Sequence, residues 1–179
     1  MTGLETAIIL IAFVVVAAVF AFVVLSTGLF SSERGKEAVY AGLAKTRGTM
    51  ELSSGVIATS NGTKITKLTF DVALAAGGDA VNLDPAATTN RTVISYIDSS
   101  TSVNNVTYTA TALVGNSDKL LQPGELFEVG IDTTQSAMSA VTIGTNATFT
   151  LEIKPPSGSY MVIQRTTPAA ITDTTIDLN

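Results

Sequence analysis

Hydrophobic and polar positions divide the chain into two parts that differ in periodicity. The first part contains nineteen consecutive apolar residues, Ala7 to Leu25, and fourteen of these are Val, Ile, Leu or Phe. Apolar residues continue at helical spacing through Leu43, interrupted by a charged segment from Glu33 to Glu37. This pattern predicts a single N-terminal hydrophobic helix over residues 1–47.

Both ends of the predicted helix carry terminal signals. Thr2 and Glu5 have the spacing of a capping box, in which a hydroxyl and a carboxylate satisfy free backbone N–H groups. Lys45 and Arg47 lie where the last turn favours cations, and Gly48 suits the left-handed conformation that often follows a helix. About 44 residues at about 1.5 Å each give a rod of about 65 Å, which is longer than one small domain can cover.

The pattern after Gly48 changes to apolar residues that alternate with polar ones. Residues 68–74 alternate with a period of two, and Asn61-Gly62 predicts a hairpin turn before Ile65. The predicted strands are 56–58, 68–74, 92–97, 106–113, 126–131, 142–154 and 159–165, with the last two separated by the turn residues 155–158. Seven or eight short strands in about 130 residues predict a two-sheet sandwich over residues 48–179. The predicted fold class is therefore α+β, a long helix followed by an all-β sandwich domain.

The composition excludes most catalytic chemistry. The chain has no His and no Cys, so a Ser–His triad, a thiol nucleophile and a zinc site with His or Cys ligands are impossible. A net charge of −5 with only 14% charged residues excludes a basic nucleic-acid-binding surface. We therefore expect a protein that is not an enzyme, holds no cofactor or metal and does not bind nucleic acid.

Two surroundings could cover the predicted helix: a lipid bilayer or a bundle of identical helices. Nineteen apolar residues are long enough to cross the hydrocarbon layer. No basic residue precedes the apolar run, whereas Arg34 and Lys36 follow it, an arrangement that would keep the β domain in the cytoplasm. Removal of a basic leader by processing would explain the bare N-terminus and reverse this orientation.

Several helix residues are candidates for contacts between subunits. Gly28, Gly35 and Gly42 recur every seven residues, and small residues on one stripe allow neighbouring helices to approach closely. The Phe residues of the helix, among them Phe13, Phe20 and Phe22, are interpreted as packing residues. The charges at 33, 34, 36 and 37 have the spacing of exposed helix pairs, and pairing between subunits is the alternative.

The residues also carry a family resemblance that extends along most of the chain. The start of the chain, Thr2-Gly3-Leu4-Glu5 followed by the apolar residues 7–18, resembles the mature start of an archaellin, the filament subunit of the archaeal flagellum. Archaellins share this N-terminal design with type IV pilins. Three later segments, Phe70–Gly77 with Val81–Leu83, Leu120–Phe127 and Phe149–Pro155, resemble the β segments of the family, and Arg165–Pro168 resembles its ending.

The resemblance implies a structural protein that polymerises into an extracellular filament used for swimming. It implies an immunoglobulin-like or jelly-roll β domain, a leader peptidase that processes the chain, a membrane-inserted state before assembly and a separate assembly motor with its own ATPase. The filament would contain copies of this chain, alone or with paralogous subunits. The carboxylate of Glu5 would pair with the free α-amino group of an adjacent subunit, whereas its role within the chain would be the capping box.

Two alternative functions stay open from the sequence. A type IV pilin-like subunit of an adhesion filament would share the helix, and the β segments argue against it. A surface protein with a permanent membrane anchor and a β-sandwich ectodomain would need only one membrane span, which leaves the helix from Glu33 to Lys45 without a surface to pack on.

Two kinds of polar site remain in the β part. The Asn-x-Thr motif occurs at Asn61, Asn90, Asn105 and Asn146, and on an exported domain it predicts N-glycosylation. Carboxylates at positions 71, 79, 84 and 98 could contribute to a Ca²⁺ site, but their spacing is not that of a calcium loop. We interpret them as solvated turn residues, and Gly77-Gly78 as a turn rather than a phosphate-binding loop.

Overall fold

One helix forms the N-terminal part of the protein. The computed structural model describes residues 3–75 and 77–178, apart from the side chains of residues 44–47 and 136. Helix α1 runs without interruption from Gly3 to Arg47, and this segment of 45 residues contains no Pro that would remove a backbone donor. By its internal contacts the chain forms two compact units, Met1–Leu43 and Ala44–Asn179.

The second unit is built of antiparallel β-strands. Among the described residues there are twelve strands and one short 3₁₀ helix, Ser136–Met138. The strands are β1 (Met50–Leu52), β2 (Val56–Ser60), β3 (Ile65–Leu74), β4 (Val81–Asn82), β5 (Val93–Asp98), β6 (Ser102–Val103), β7 (Thr109–Val114), β8 (Leu120–Leu121), β9 (Leu126–Asp132), β10 (Thr148–Lys154), β11 (Met161–Thr166) and β12 (Thr175–Leu178). The predicted order of one helix followed by an all-β part is confirmed.

The strands form two main sheets, each of which draws on distant parts of the chain. The first sheet has the order β12-β2-β3-β9-β7, and β1 pairs with the end of β3 on the side that β2 occupies. The second has the order β11-β10-β5-β6, and β4 and β8 form a separate pair. The chain passes between the two main sheets several times, so their strands alternate along the sequence.

A single hydrophobic core joins the two main sheets. Strand β3 buries Leu68, Phe70 and Val72, and the residues between them face outwards, as the period of two predicts. In the second sheet Tyr96 and Phe149 are buried on neighbouring strands, with ring centroids 6.0 Å apart. Because side chains of both sheets belong to the same buried cluster, this unit closes its own core as a sandwich.

A side-chain hydrogen bond closes one edge of this sandwich. The Nε atom of Arg165 on β11 donates to the backbone carbonyl of Leu178 on β12 at 2.8 Å. These strands are edge strands of different sheets, so the bond joins the two layers at their margin. Leu178 is buried below this contact, and the last strand is therefore fixed by a hydrophobic anchor as well as a charged donor.

The predicted strand over residues 142–154 is wrong in its first half. Strand β10 begins only at Thr148, and residues 142–147 are irregular. Asn146 has a φ of 52°, a left-handed conformation that cannot continue a pleated strand, and its N–H donates to the carbonyl of Pro168.

The strand predicted at residues 106–113 is also shorter, because it begins at Thr109. The predicted hairpin turn at Asn61-Gly62 is confirmed between β2 and β3.

The explanation predicted for Gly48 is wrong as well. Its backbone is not left-handed. A Cβ atom at Gly48 would instead collide with the carbonyl oxygen of Ser157, and one at Gly158 would collide with the carbonyl of Gly48. The two backbones pass so closely that both positions exclude a side chain. Gly48 is therefore required for close approach within the β unit, and not for a left-handed helix end.

Three aspartates fix turns of the β unit, and their hydrogen bonds lower their pKa values. The backbone N–H of Ala86 and then the Lys119 side chain lower the pKa of Asp84. Burial opposes the shift at Asp98, but its bonds from residues 96, 100 and 101 outweigh it and lower the pKa. At Asp132 the hydroxyl of Thr134 is the largest cause of a lowered pKa. Each carboxylate thus stabilises the folded state only while it is ionised.

These shifts predict a wide pH range of constant stability for the β unit. A lowered folded pKa means that the stabilisation is complete above the ordinary aspartate pKa of 3.8 and is lost as the pH falls through the lower pKa of the folded state. At the alkaline end, burial raises the pKa of Tyr108 from 10.0 to about 12, so its stabilisation is complete below pH 10 and is lost above it.

With no His or Cys to titrate between these limits, the melting temperature of residues 48–179 should be nearly constant from about pH 5 to 9. It should fall below about pH 4, and Asp98→Asn should reduce the size of this acid-induced fall. Calorimetry across the pH series measures both effects, with Asp79→Asn as a control at an exposed carboxylate. A melting temperature that falls steadily between pH 8 and 5 would contradict the prediction.

Candidate assembly surface

The surface of α1 is almost completely exposed. From Gly3 to Leu43 every residue except Ser26 is exposed. Large apolar side chains in this range expose 46–73% of their surface. By length and composition, the helix could also cross a membrane. An apolar surface of this extent requires another molecule to cover it.

The apolar side chains project from all sides of the helix. Phe13 and Phe20 are seven residues apart and lie on nearly the same side, whereas Phe22 projects about 200° further round from Phe20. Their exposed fractions are 73%, 70% and 73%. A helix with one apolar stripe can lie on a domain, but a helix that is apolar all round has to be surrounded.

The three spaced glycines lie in open parts of this surface. A Cβ atom at Gly28, Gly35 or Gly42 would meet no atom within 4 Å. None of the three has a positive φ, so their own chain does not require glycine there. Each glycine costs a helix about 1 kcal/mol relative to Ala. A compensating benefit therefore has to come from a contact with another molecule, such as close helix packing.

Glu5 occupies the first turn of α1 and is exposed. A carboxylate at this point interacts favourably with the positive end of the helix dipole. Thr2, the predicted capping partner, lies outside the described residues. Both predicted roles of Glu5, in capping and in pairing with another subunit, therefore stay predictions.

The hydroxyl of Thr27 has a role that the sequence pattern did not reveal. It donates to the backbone carbonyls of Val23 and Val24, each at 3.0 Å. A hydroxyl that is satisfied by its own helix can enter apolar surroundings at low cost. The signal in the sequence is a Thr two residues after the end of an apolar run, which is too common to be specific.

The charged segment of α1 carries two acids and two bases that are all exposed. The described residues contain two salt bridges, Lys119–Asp84 and Lys154–Glu152, and both are in the β unit. The predicted exposed pairs, Glu33 with Lys36 and Arg34 with Glu37, are therefore not formed as ion pairs. At three residues apart these long side chains can instead point away from each other into solvent.

All four predicted glycosylation acceptors are exposed. Asn61 caps the hairpin turn through its Oδ1, which accepts from the backbone N–H groups of Thr63 and Lys64 at 3.1 Å. Asn105 accepts a 2.7 Å hydrogen bond from Arg91. The remaining acceptors, Asn90 and Asn146, have left-handed φ values of 50° and 52°, which place them in turns.

The Thr residues that complete the four Asn-x-Thr motifs differ in their exposure, which the motif itself does not reveal. Thr63, Thr107 and Thr148 are exposed. By contrast Thr92, which completes the motif of Asn90, exposes only 1% of its surface. Its hydroxyl donates to the carbonyl of Asn82 at 2.8 Å. In the folded domain Asn90 is therefore accessible, but the Thr hydroxyl of its motif is not.

The four aspartates considered for a cation lie in separate places. Asp71 is on β3, Asp79 is in an exposed loop, Asp84 pairs with Lys119 at 3.1 Å, and Asp98 accepts from Ser100. Among the described residues, no three acidic side chains come together in a group that could hold a metal. The expected turn at Gly77-Gly78 is present, with Gly77 at a φ of 77°.

Comparison with known proteins relates the whole chain to archaeal filament proteins. The chain is 36% identical to "Probable flagellin 1" of Archaeoglobus fulgidus over 95% of this chain and 90% of that protein, and 31% identical to "Probable flagellin 2" of the same organism over 97% and 92%. Its structure is similar to a subunit of the archaeal flagellum of Methanospirillum hungatei, with a TM-score of 0.72, 28% identity and coverage of 98% and 99%.

A second solved structure supports the fold of the β part. The crystal structure of archaeal flagellin FlaB1 from Methanocaldococcus jannaschii matches 72% of this chain and 95% of that chain with a TM-score of 0.60, at 19% identity. The family model for archaeal-type flagellin matches residues 1–165 and so extends over both the helix and most of the β unit. The chain belongs to the archaeal-type flagellin family.

Proposed function

We propose that this chain is the structural subunit of an archaellum, the archaeal flagellum, and that it polymerises into an extracellular filament used for swimming. The observation that carries the proposal is the exposed helix surface between Gly3 and Leu43, which is apolar on every side. A polymer of identical subunits surrounds such a helix with copies of itself. The similarity to the flagellum subunit of Methanospirillum hungatei over nearly the whole of both chains supports the same function.

The alternatives account for less of the molecule. A permanent anchor would cover about 20 residues of the helix with lipid and leave the second half of its exposed surface without a partner. An adhesion pilin would share the helix, but the family model also matches the β part of this chain. Similarity along both parts favours the archaellum over both alternatives.

Assembly exchanges one apolar environment for another. Before assembly the apolar segment Ala7–Leu25 lies in the membrane, and in the filament it lies among neighbouring helices. Because lipid and helices are similarly apolar, the free-energy difference depends on packing, and exposed glycines at 28, 35 and 42 permit close packing. A leader peptidase prepares the subunit, and a separate assembly motor extracts it from the membrane. Contacts that do not close into a ring then extend the polymer, of this chain alone or with paralogous subunits.

We assign the two parts of the chain to different layers of this filament. Residues 1–47 form its core and contain the candidate contact residues Phe13, Phe20 and Phe22. Residues 48–179 form the outer domain, because their hydrophobic core is closed within the unit and needs no partner. The subunit is therefore a passive structural element, and the chemical energy for rotation comes from other proteins.

A fragment of residues 48–179 should fold as a soluble monomer with mainly β structure and should form no filaments. Its strands enclose their own core, whereas the surface that requires covering is on the deleted helix. Circular dichroism and light scattering measure folding and size, and electron microscopy detects filaments.

The full chain, produced with its processing and assembly proteins, serves as the positive control and should form filaments on the cell surface. Native-like filaments from the fragment alone would show that the helix is not the assembly element. Absence of filaments from the full chain, despite normal membrane insertion, would contradict the proposed function itself.

The substitution Glu5→Gln should leave membrane insertion normal but reduce filament yield by about tenfold or more if the carboxylate pairs with an ammonium of another subunit. Gln retains the hydrogen-bonding capacity needed in a capping box but cannot neutralise a positive charge. The yield is measured in cells that lack other filament subunits, with Asp79→Asn as a control for loss of an exposed carboxylate. Wild-type assembly by Glu5→Gln would restrict Glu5 to a role in the helix start.

Glycosylation should raise the mass of the native protein above 18.5 kDa. Thr92, which completes the motif of Asn90, is buried. Modification after folding should therefore favour Asn61, Asn105 and Asn146 over Asn90. Mass spectrometry of peptides from native filaments gives the occupancy at each position, and Asn→Gln variants at each acceptor serve as controls. Unmodified peptides at all four positions would contradict the glycosylation prediction without affecting the filament proposal.

A further inference from the structure

Four charged residues interrupt the apolar surface of α1 within five consecutive positions. The charged band consists of Glu33, Arg34, Lys36 and Glu37, and all four side chains are exposed. Its net charge is zero. Apolar residues continue on both sides, with Phe30 exposed by 64% before the band and Val39 by 61% after it. The band is therefore enclosed within the length of the apolar helix and does not mark its end.

Within the described part of the chain, no ion pair involves this band. The salt bridges among the described residues involve other side chains, and all of these are in the β unit. Glu33 and Glu37 are four residues apart, so two like charges share one side of the helix, which is slightly destabilising on its own. An opposite charge from outside the chain would remove this repulsion.

The acids and bases of the band are placed so that the bands of two copies can pair with each other. With about 100° of rotation per residue, the two acids form a ridge, and Lys36 and Arg34 lie about 80° to either side of it. A neighbouring parallel helix can therefore place one of its bases against the acidic ridge, while its own acidic ridge faces a further copy. This arrangement uses two different faces of each helix, as an open-ended polymer requires.

We propose that the charged band pairs with the same band of neighbouring subunits and sets the axial register of their helices. The inference depends on the proposed filament function and adds a specific interaction to it. Purely apolar helices offer little resistance to sliding, because Val, Ile and Leu contacts are similar at successive turns. A displaced register leaves a charge in apolar surroundings without a partner, which is costly, and a polar group that fixes register is a well-supported use of buried charge.

The band also fits the sequence of events during assembly. It begins eight residues after Leu25, which is about 12 Å beyond the apolar segment that occupies the membrane. The four charges are thus hydrated before assembly and do not hinder membrane insertion. They meet their partners only when helices come together, so correct register is selected at the assembly step.

Charge reversal tests this proposal in the full chain. One variant carries Glu33→Lys with Glu37→Lys, a second carries Arg34→Glu with Lys36→Glu, and a third carries all four substitutions. Each is expressed in a host without other filament subunits, and filament yield is expressed per membrane-inserted subunit. The matched control is Glu51→Lys with Asp79→Lys, which reverses two exposed acids of the β unit that form no ion pair.

The first two variants should each lose filament yield by about tenfold or more, because all neighbouring bands then carry the same charge. The variant with four substitutions should recover to within about twofold of the wild type, since complementarity between copies is restored. Co-expression of the first two variants should yield filaments that contain both chains, as peptide mass spectrometry can measure. Such complementation between chains cannot arise from pairs within one helix.

Two results would overturn the proposal. Wild-type yields from both double variants would show that the band is solvated in the filament. Loss of filaments that neither the four-substitution variant nor co-expression reverses would show that the band contacts a different component. In both cases the wild-type chain still assembles, so these results are distinct from a failure of the proposed filament function.

Discussion

The structure depends on one constraint: the apolar surface of a helix of 45 residues cannot be buried by the chain that carries it. In a soluble protein this surface would cause aggregation, because large exposed apolar areas associate without specificity. In an archaeal-type flagellin the same surface first places the subunit in a membrane and then holds it in a polymer. The exposed helix is thus the functional surface of the protein, and its exposure is a requirement for that function.

The β unit follows the opposite principle. Its two main sheets share one buried core, and turn carboxylates such as Asp98 and Asp132 fix its loops by accepting hydrogen bonds from backbone N–H groups. Arg165 ties the last strand to the opposite sheet. A domain that is complete in itself needs no partner to cover its core, and this one contains no His or Cys that would titrate near neutral pH. The two parts therefore differ in role because the β unit buries its apolar side chains within itself, whereas the helix leaves its apolar side chains exposed.

The sequence predicted those features that depend on local periodicity. The nineteen apolar residues predicted α1, and the alternation from Leu68 to Leu74 predicted the inward and outward faces of β3. Features that depend on distant contacts were missed or misread. Gly48 looked like a helix end, although its role is set by the backbone carbonyl of Ser157, more than one hundred residues away. The short strands β4 and β8 pair only with each other, and two-residue strands leave no periodic signal. The buried hydroxyl of Thr92 was equally invisible, because the motif at Asn90 records residue types and not their burial.

The composition of the helix also limits where the subunit can exist as a folded molecule. The run Val14-Val15-Val16 has low helix propensity in water, since branched side chains lose rotational freedom against the preceding turn. In lipid or among other helices, backbone hydrogen bonds have to close within the segment, and the helix becomes the only acceptable conformation. The same residues that make α1 insoluble therefore make its helical form dependent on apolar surroundings. A helix that met water between the membrane and the filament would expose its apolar surface and lose the surroundings that favour its helical form. Direct transfer, with new helix contacts formed as those with lipid are lost, avoids both costs.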